Sequence, residues 1–176
     1  FNPTLVSEYR LIGYETRSLR RQDFNNDKID AGDIGSGHTV TAIYEITPAD
    51  SPRKYVDDLR YGRSKPPATP AREGGNTNEF AFLKLRYKLP KESVSKLVTV
   101  PIAKTDERNN VDGASADMRF AASVAAFGQK LRGDGTLGDF GYDDILALAT
   151  SARGKDAFGY RGEFLTLVRL AKSLSR

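Results

Sequence analysis

The stretch that decides the fold reads Phe80-Ala-Phe-Leu-Lys-Leu-Arg-Tyr-Lys-Leu89. Ala81, Leu83, Leu85, Tyr87 and Leu89 fall on one side of an extended chain. Lys84, Arg86 and Lys88 fall on the other. A side-chain period of two is that of a β-strand with one apolar and one wet face, as in antiparallel sheets. The expectation is that the apolar face lies in a core. Pro90 stops the run, because proline has no N–H to donate to a ladder.

The same period recurs on either side of this stretch. Thr39–Thr47 sets Val40, Ala42, Tyr44 and Ile46 opposite Thr39, Thr41, Ile43 and Glu45, with Pro48 as the stop. Leu5–Glu15 sets Tyr9, Leu11 and Gly13 opposite Arg10, Ile12 and Tyr14. Leu97–Ile102 aligns Val98, Val100 and Ile102. Gly62–Asn78 has no apolar periodicity and is rich in proline and glycine, which predicts a mobile surface loop.

Beyond about residue 114 the period becomes helical. A first helix is expected over Ala116–Arg132, with Ser115 as N-cap, Asp117 at the positive helix end and Gly133 just past the last turn. Its stripe is Phe120, Val124, Phe127 and Leu131, and Ala121, Ala122, Ala125 and Ala126 leave room for another element. A second helix spans Tyr142–Arg153 with Ile145, Leu148, Ala149 and Ala152 inward. A third spans Tyr160–Leu174 with Phe164, Leu167, Val168, Ala171 and Leu174 inward. The predicted fold is α+β. An antiparallel, β-sandwich-like part of four or more strands occupies 1–103, with a flexible loop near 50–78. A connector follows over 104–113. Three helices fill 114–176, packed on the β part or as a small bundle.

Composition narrows the chemistry. The chain has 176 residues, 39% of them hydrophobic and 28% charged, enough to bury a core. No apolar run reaches the roughly 18–20 residues of a membrane-crossing helix. The absence of cysteine excludes disulfides and thiolate metal sites, and a single histidine, His38, excludes a multi-histidine one. The chain begins with Phe1 rather than methionine, so a piece of a longer polypeptide is expected. The net charge is +4, but its basic residues are interspersed with acidic ones and form no block. Solvated faces explain them better than nucleic acid or a membrane surface.

One local motif invites a metal reading: Asp23-Phe-Asn-Asn-Asp-Lys-Ile-Asp-Ala-Gly-Asp33. Asp23, Asn25 and Asp27 place oxygens at alternate positions, as at the opening of a calcium loop, and Asp30 and Asp33 extend the set. Lys28 stands where such loops carry glycine, and the closing glutamate is missing. A turn built on Asx hydrogen bonds is the preferred reading, with a calcium module as the alternative. His38 follows Gly37 with no nucleophile motif around it, so no catalytic residue is assigned and an enzyme using His38 is the last alternative. No phosphate-binding loop is present, and no cofactor is expected.

Three blocks, Glu8-Tyr-Arg-Leu-Ile-Gly-Tyr-Glu15, Asp23 to Asp33, and Gly37-His-Thr-Val-Thr-Ala-Ile-Tyr-Glu-Ile46, carry a resemblance. So do Met118–Gly128 and Gly159–Ala171. Together they resemble the C-terminal region of bacterial von Willebrand factor type A proteins of the YfbK type. The resemblance implies a metal-binding A domain ahead of this region, a cell-envelope or periplasmic location, and membrane contact only through a lipid anchor outside this chain. It assigns the C-terminal region itself no function. The A domain's Asp-x-Ser-x-Ser metal motif does not occur here, so no metal ligand is carried over. The expected role is a non-catalytic accessory domain that supports or regulates the A domain, or binds protein.

Overall fold

The computed structural model describes residues 1–14, 18–29, 32–56, 78–133 and 135–175. The architecture is mixed α and β, with three helices and two small antiparallel sheets of two strands each. Strand β1 (Val6–Leu11) pairs with β2 (Tyr44–Pro48), and β3 (Glu79–Tyr87) pairs with β4 (Lys96–Ala103). The loop expected at 62–78 lies almost wholly outside the described residues. Among the described residues each sheet has two strands, so the α+β class holds and no four-strand sandwich is seen there.

The chain divides into two compact units. One comprises Phe1–Arg10, Glu15–His38 and Tyr44–Glu107; the other comprises Leu11–Tyr14, Thr39–Ile43 and Arg108–Arg176.

In the first unit the β3–β4 register is Ala81↔Ile102, Leu83↔Val100, Leu85↔Val98 and Tyr87↔Lys96. The period-two reading therefore found the correct face. It did not find its environment. Leu83, Leu85, Val98, Val100 and Ile102 are each 41–52% exposed, so this face is not in a core. A hairpin satisfies its inner backbone groups by pairing, but its faces stay wet until a second layer covers them. In β1, Val6 is buried while Tyr9 is 62% exposed, which turns the Val6 side of the strand inward rather than the Tyr9 side. Glu8 and Arg10 face partners instead. Glu8 accepts the backbone N–H groups of Tyr55 (3.0 Å) and Val56 (2.9 Å). Arg10 pairs with Glu45 at 2.6 Å, and the Tyr55 hydroxyl donates to Glu45. The expected strand over 39–47 shortens to Tyr44–Pro48, with Val40 exposed ahead of it.

The helical unit has a dry centre. Helix α1 (Ala116–Arg132) begins where Ser115 Oγ accepts the Met118 N–H, and ends on Gly133 in the left-handed region at φ 68°. Helices α2 (Tyr142–Ser151) and α3 (Tyr160–Leu174) follow. Ile145, Ala149, Ala152 and Val168 are fully buried. Phe127, Phe140, Tyr142 and Phe164 pack around Ala126, Ile145 and Val168, and Phe164 meets Phe120 and Phe127 edge-on at 5.4 and 5.5 Å. Ser123, fully buried, donates back to Phe120 O at 2.6 Å, which satisfies its hydroxyl.

Two stripes shift relative to expectation. Val124 and Leu131 of α1 are exposed, as are Leu167 and Leu174 of α3; Leu165 is buried instead. With 3.6 residues per turn a stripe drifts around the axis, and the neighbouring helix decides which side of it is covered.

Candidate functional site

The acidic loop begins as a short 3₁₀ turn, Arg21–Asn25, that includes Asp23 and Asn25. Asn26 Oδ1 then accepts the Lys28 N–H at 3.1 Å, an Asx turn of the expected kind. Asp27 reaches to the turn end of the β3–β4 ribbon. It accepts the Ser95 N–H at 3.2 Å and lies 3.9 Å from the Arg86 guanidinium, while Lys88 Nζ donates to its backbone oxygen. Arg86 itself donates to Ser95 Oγ at 2.6 Å and stacks over the Phe24 ring. The Ser95 hydroxyl and N–H hold the Asp27 carboxyl below its ordinary range, with Arg86 and Lys88 adding to the effect. Asp33 is exposed, and Asp30 lies outside the described residues. Among the described residues no three metal-ligating side chains gather. The loop thus fastens itself to the polar side of the ribbon, where Asp27 meets protein cations.

His38 does not begin a strand. It closes a turn, with its N–H on Gly35 O, and its Nδ1 lies 3.3 Å from Ser36 O. The residue is exposed, and no carboxylate or hydroxyl is placed on its ring by any described contact.

The polar constellations of the helical unit bind helix ends. Arg161 Nη1 donates to Ala152 O at 2.9 Å, Nη2 pairs with Asp117 at 2.6 Å, and the guanidinium lies over the Phe120 ring at 4.7 Å. One side chain so ties the start of α1, the end of α2 and the start of α3. Asp156, with only 4% of its side chain exposed, accepts the N–H groups of Arg161 (3.0 Å) and Gly162 (2.8 Å) and pairs with Arg153. Desolvation pushes the Asp156 pKa up, but those amides and Arg153 outweigh it and the net shift is downward. Sequence reading missed both residues. The available signal was an acid shortly ahead of an expected helix start.

The helical unit also carries an apolar cleft of about 540 Å³, lined by Ile12, Thr41 and Ile43 on one side and Ala121, Ala125 and Gly128 on the other. Ala121 and Ala125 leave space, as expected, whereas Ala126 belongs to the core.

Among the described residues, the β3–β4 ribbon leaves a row of aliphatic side chains half-exposed. Its polar side is partly covered by Phe24 and Asp27. Its other side, from Ala81 to Tyr87 and from Val98 to Ile102, is aliphatic and uncharged through its middle. Leu83, Leu85, Val98, Val100 and Ile102 on it are 41–52% exposed, side by side across the two strands.

Comparison with known proteins agrees with the resemblance noted above. Residues 1–174 match the family described as "Uncharacterized protein YfbK, C-terminal". The chain is 43% identical over 175 residues to "Uncharacterized protein YfbK" of Escherichia coli (strain K12), a match that covers 99% of this chain and 29% of that protein. No solved structure matches.

Proposed function

This chain belongs to the YfbK C-terminal family, and from that premise we propose that it is a non-catalytic accessory domain that docks against another part of a YfbK polypeptide. The exposed aliphatic face of β3–β4 carries the reading. A face that is aliphatic through its middle, with Lys96 at its turn end, is a poor end state for a two-stranded ribbon in water, because half of each side chain remains hydrated. Contact with a second protein surface removes that cost. By the resemblance, the neighbour is a von Willebrand A domain, which this domain supports or regulates, and the setting is the cell envelope or periplasm. The polar clusters favour the same reading: Glu8, Asp27, Asp156 and Arg161 are all engaged in holding backbone and helix ends.

The test is binding. The chain, mixed with a YfbK polypeptide truncated before its C-terminal region, should form a complex measurable by calorimetry. Leu85→Glu should weaken it at least about tenfold, since a buried unpaired carboxylate costs well over 1.4 kcal/mol. Equal binding by wild type and Leu85→Glu, or no complex at all, rejects the proposal.

A further inference from the structure

We propose that β3 is an interior strand in the working protein: its outer edge accepts a β-strand from polypeptide beyond these residues. That strand carries aliphatic side chains on the Leu83 and Leu85 side and an acidic one beside Lys84. The inference rests on the docking reading above and gives the form that docking takes.

Backbone geometry carries the argument. Opposed residues of an antiparallel ladder alternate between pairs that exchange hydrogen bonds and pairs that do not. Pro101 stands opposite Phe82 and has no N–H, which fits the non-exchanging kind. Lys84↔Thr99 and Arg86↔Leu97 then share that kind. The N–H and C=O groups of Phe82, Lys84 and Arg86 consequently point away from β4. At the start of the strand the Asn2 backbone N–H reaches Phe80 O at 2.8 Å, in the same phase, and the ladder is irregular between Glu79 and Ala81. Beyond Phe80, no described backbone group covers that edge.

The two edges of the ribbon are not equivalent. β4 carries Pro101 on its outer side, a device by which sheets are ended. β3 has no proline. Its register is irregular between Glu79 and Ala81, and the deterrent in its middle is Lys84, whose ammonium lies 5.9 Å from the Phe82 ring. Two copies pairing β3 to β3 about its middle would set Lys84 against Lys84, a destabilising like-charge pair. A different strand with an acidic residue at that position turns the deterrent into a match. Polypeptide to supply it is available, because the match covers only 29% of E. coli YfbK. A third strand also makes a layer wide enough to hold together and to pack.

Amide-resolved hydrogen exchange tests this, comparing the isolated chain with the same residues in a full-length YfbK polypeptide. The expected result is exchange at Phe82, Lys84 and Arg86 that is fast in the isolated chain and at least about a hundredfold slower in the full-length protein. Leu83 and Leu85, already turned toward β4, should change less. Lys84→Pro removes one outward N–H only, and should abolish the slowing at Phe82 and Arg86. If circular dichroism shows that variant unfolded, Lys84→Glu serves instead and should reduce the slowing about threefold. Unchanged exchange at the three amides overturns the inference. Carbene footprinting of Leu83 and Leu85 separates the two failures: protected side chains with fast amides leave docking standing without strand addition, and unprotected side chains with fast amides remove both. Slow amides in the isolated chain that quicken on dilution identify a second copy on the edge, which also overturns it.

Discussion

The helical unit and the β3–β4 ribbon are both rich in aliphatic residues and treat them in opposite ways. In α2 and α3, Ile145, Ala149 and Val168 are fully buried; in the ribbon, Leu83 and Leu85 remain 49% and 52% exposed. The difference follows from how each element satisfies its backbone. A helix closes its hydrogen bonds internally, so its apolar stripe is free to seek a neighbour, and three helices joined by short connections supply one another. A hairpin uses its partner strand for hydrogen bonds alone. Its faces need a second layer, which the described part of this chain does not bring to the apolar side of the ribbon. Stability resides in the helices; unmet contact potential resides in the ribbon.

Truncation should break the symmetry between the two regions most sharply. Ile145→Ala is expected to cost about 2–5 kcal/mol, as for fully buried large-to-small changes, whereas Leu85→Ala at a half-exposed site should cost under about 1 kcal/mol. Urea unfolding followed by far-ultraviolet circular dichroism measures both. Equal losses would mean that the ribbon face is covered in solution.

Acid sharpens the comparison at the next level. The Asp156 pKa is lowered in the folded protein, so its stabilisation of the helical unit is complete above the unfolded value and disappears as pH falls below about 4 through the folded one. Asp156→Asn can accept only one of the two amides. It should melt at a lower temperature at pH 7 and show a flatter profile as pH falls below about 4. Parallel profiles for the two proteins would contradict this account of Asp156.

The smallest expected effect is that of calcium. Asp27 is held by Ser95 and Arg86, so calcium at roughly millimolar concentration should shift the melting temperature by less than about 1 °C. A rise of several degrees, lost in Asp27→Ala, would make the acidic loop a cation site after all.

Some of this was legible in the residues, for local reasons. Ser115 and Gly133 bound α1 because caps act within one turn. The side-by-side placement of Leu83, Leu85, Val98 and Val100 followed from a period of two. The strand over 39–47 was over-read, since alternation also occurs in extended chain without a partner along its length. Spacing suggests Asp27 as one oxygen of a calcium set only as the alternative to a turn, and the carboxylate's ion-pair partner lies 59 positions along the sequence at Arg86. Arg161 offered no pattern, because its partners Asp117 and Phe120 in α1 and Ala152 at the end of α2 are distant or unpatterned in the sequence.

By itself the sequence determined where the helices start and stop, which strand faces are apolar, and which chemistries lack their residues. These depend on covalent geometry and neighbours a few positions away. Tertiary structure alone decided which apolar faces are dry, that Asp27 is anchored to protein groups, and that no described backbone group pairs with the outer side of β3 from Phe82 to Arg86. Burial and partnering are set by contacts between residues distant in the chain, and no local pattern encodes whether a second surface arrives.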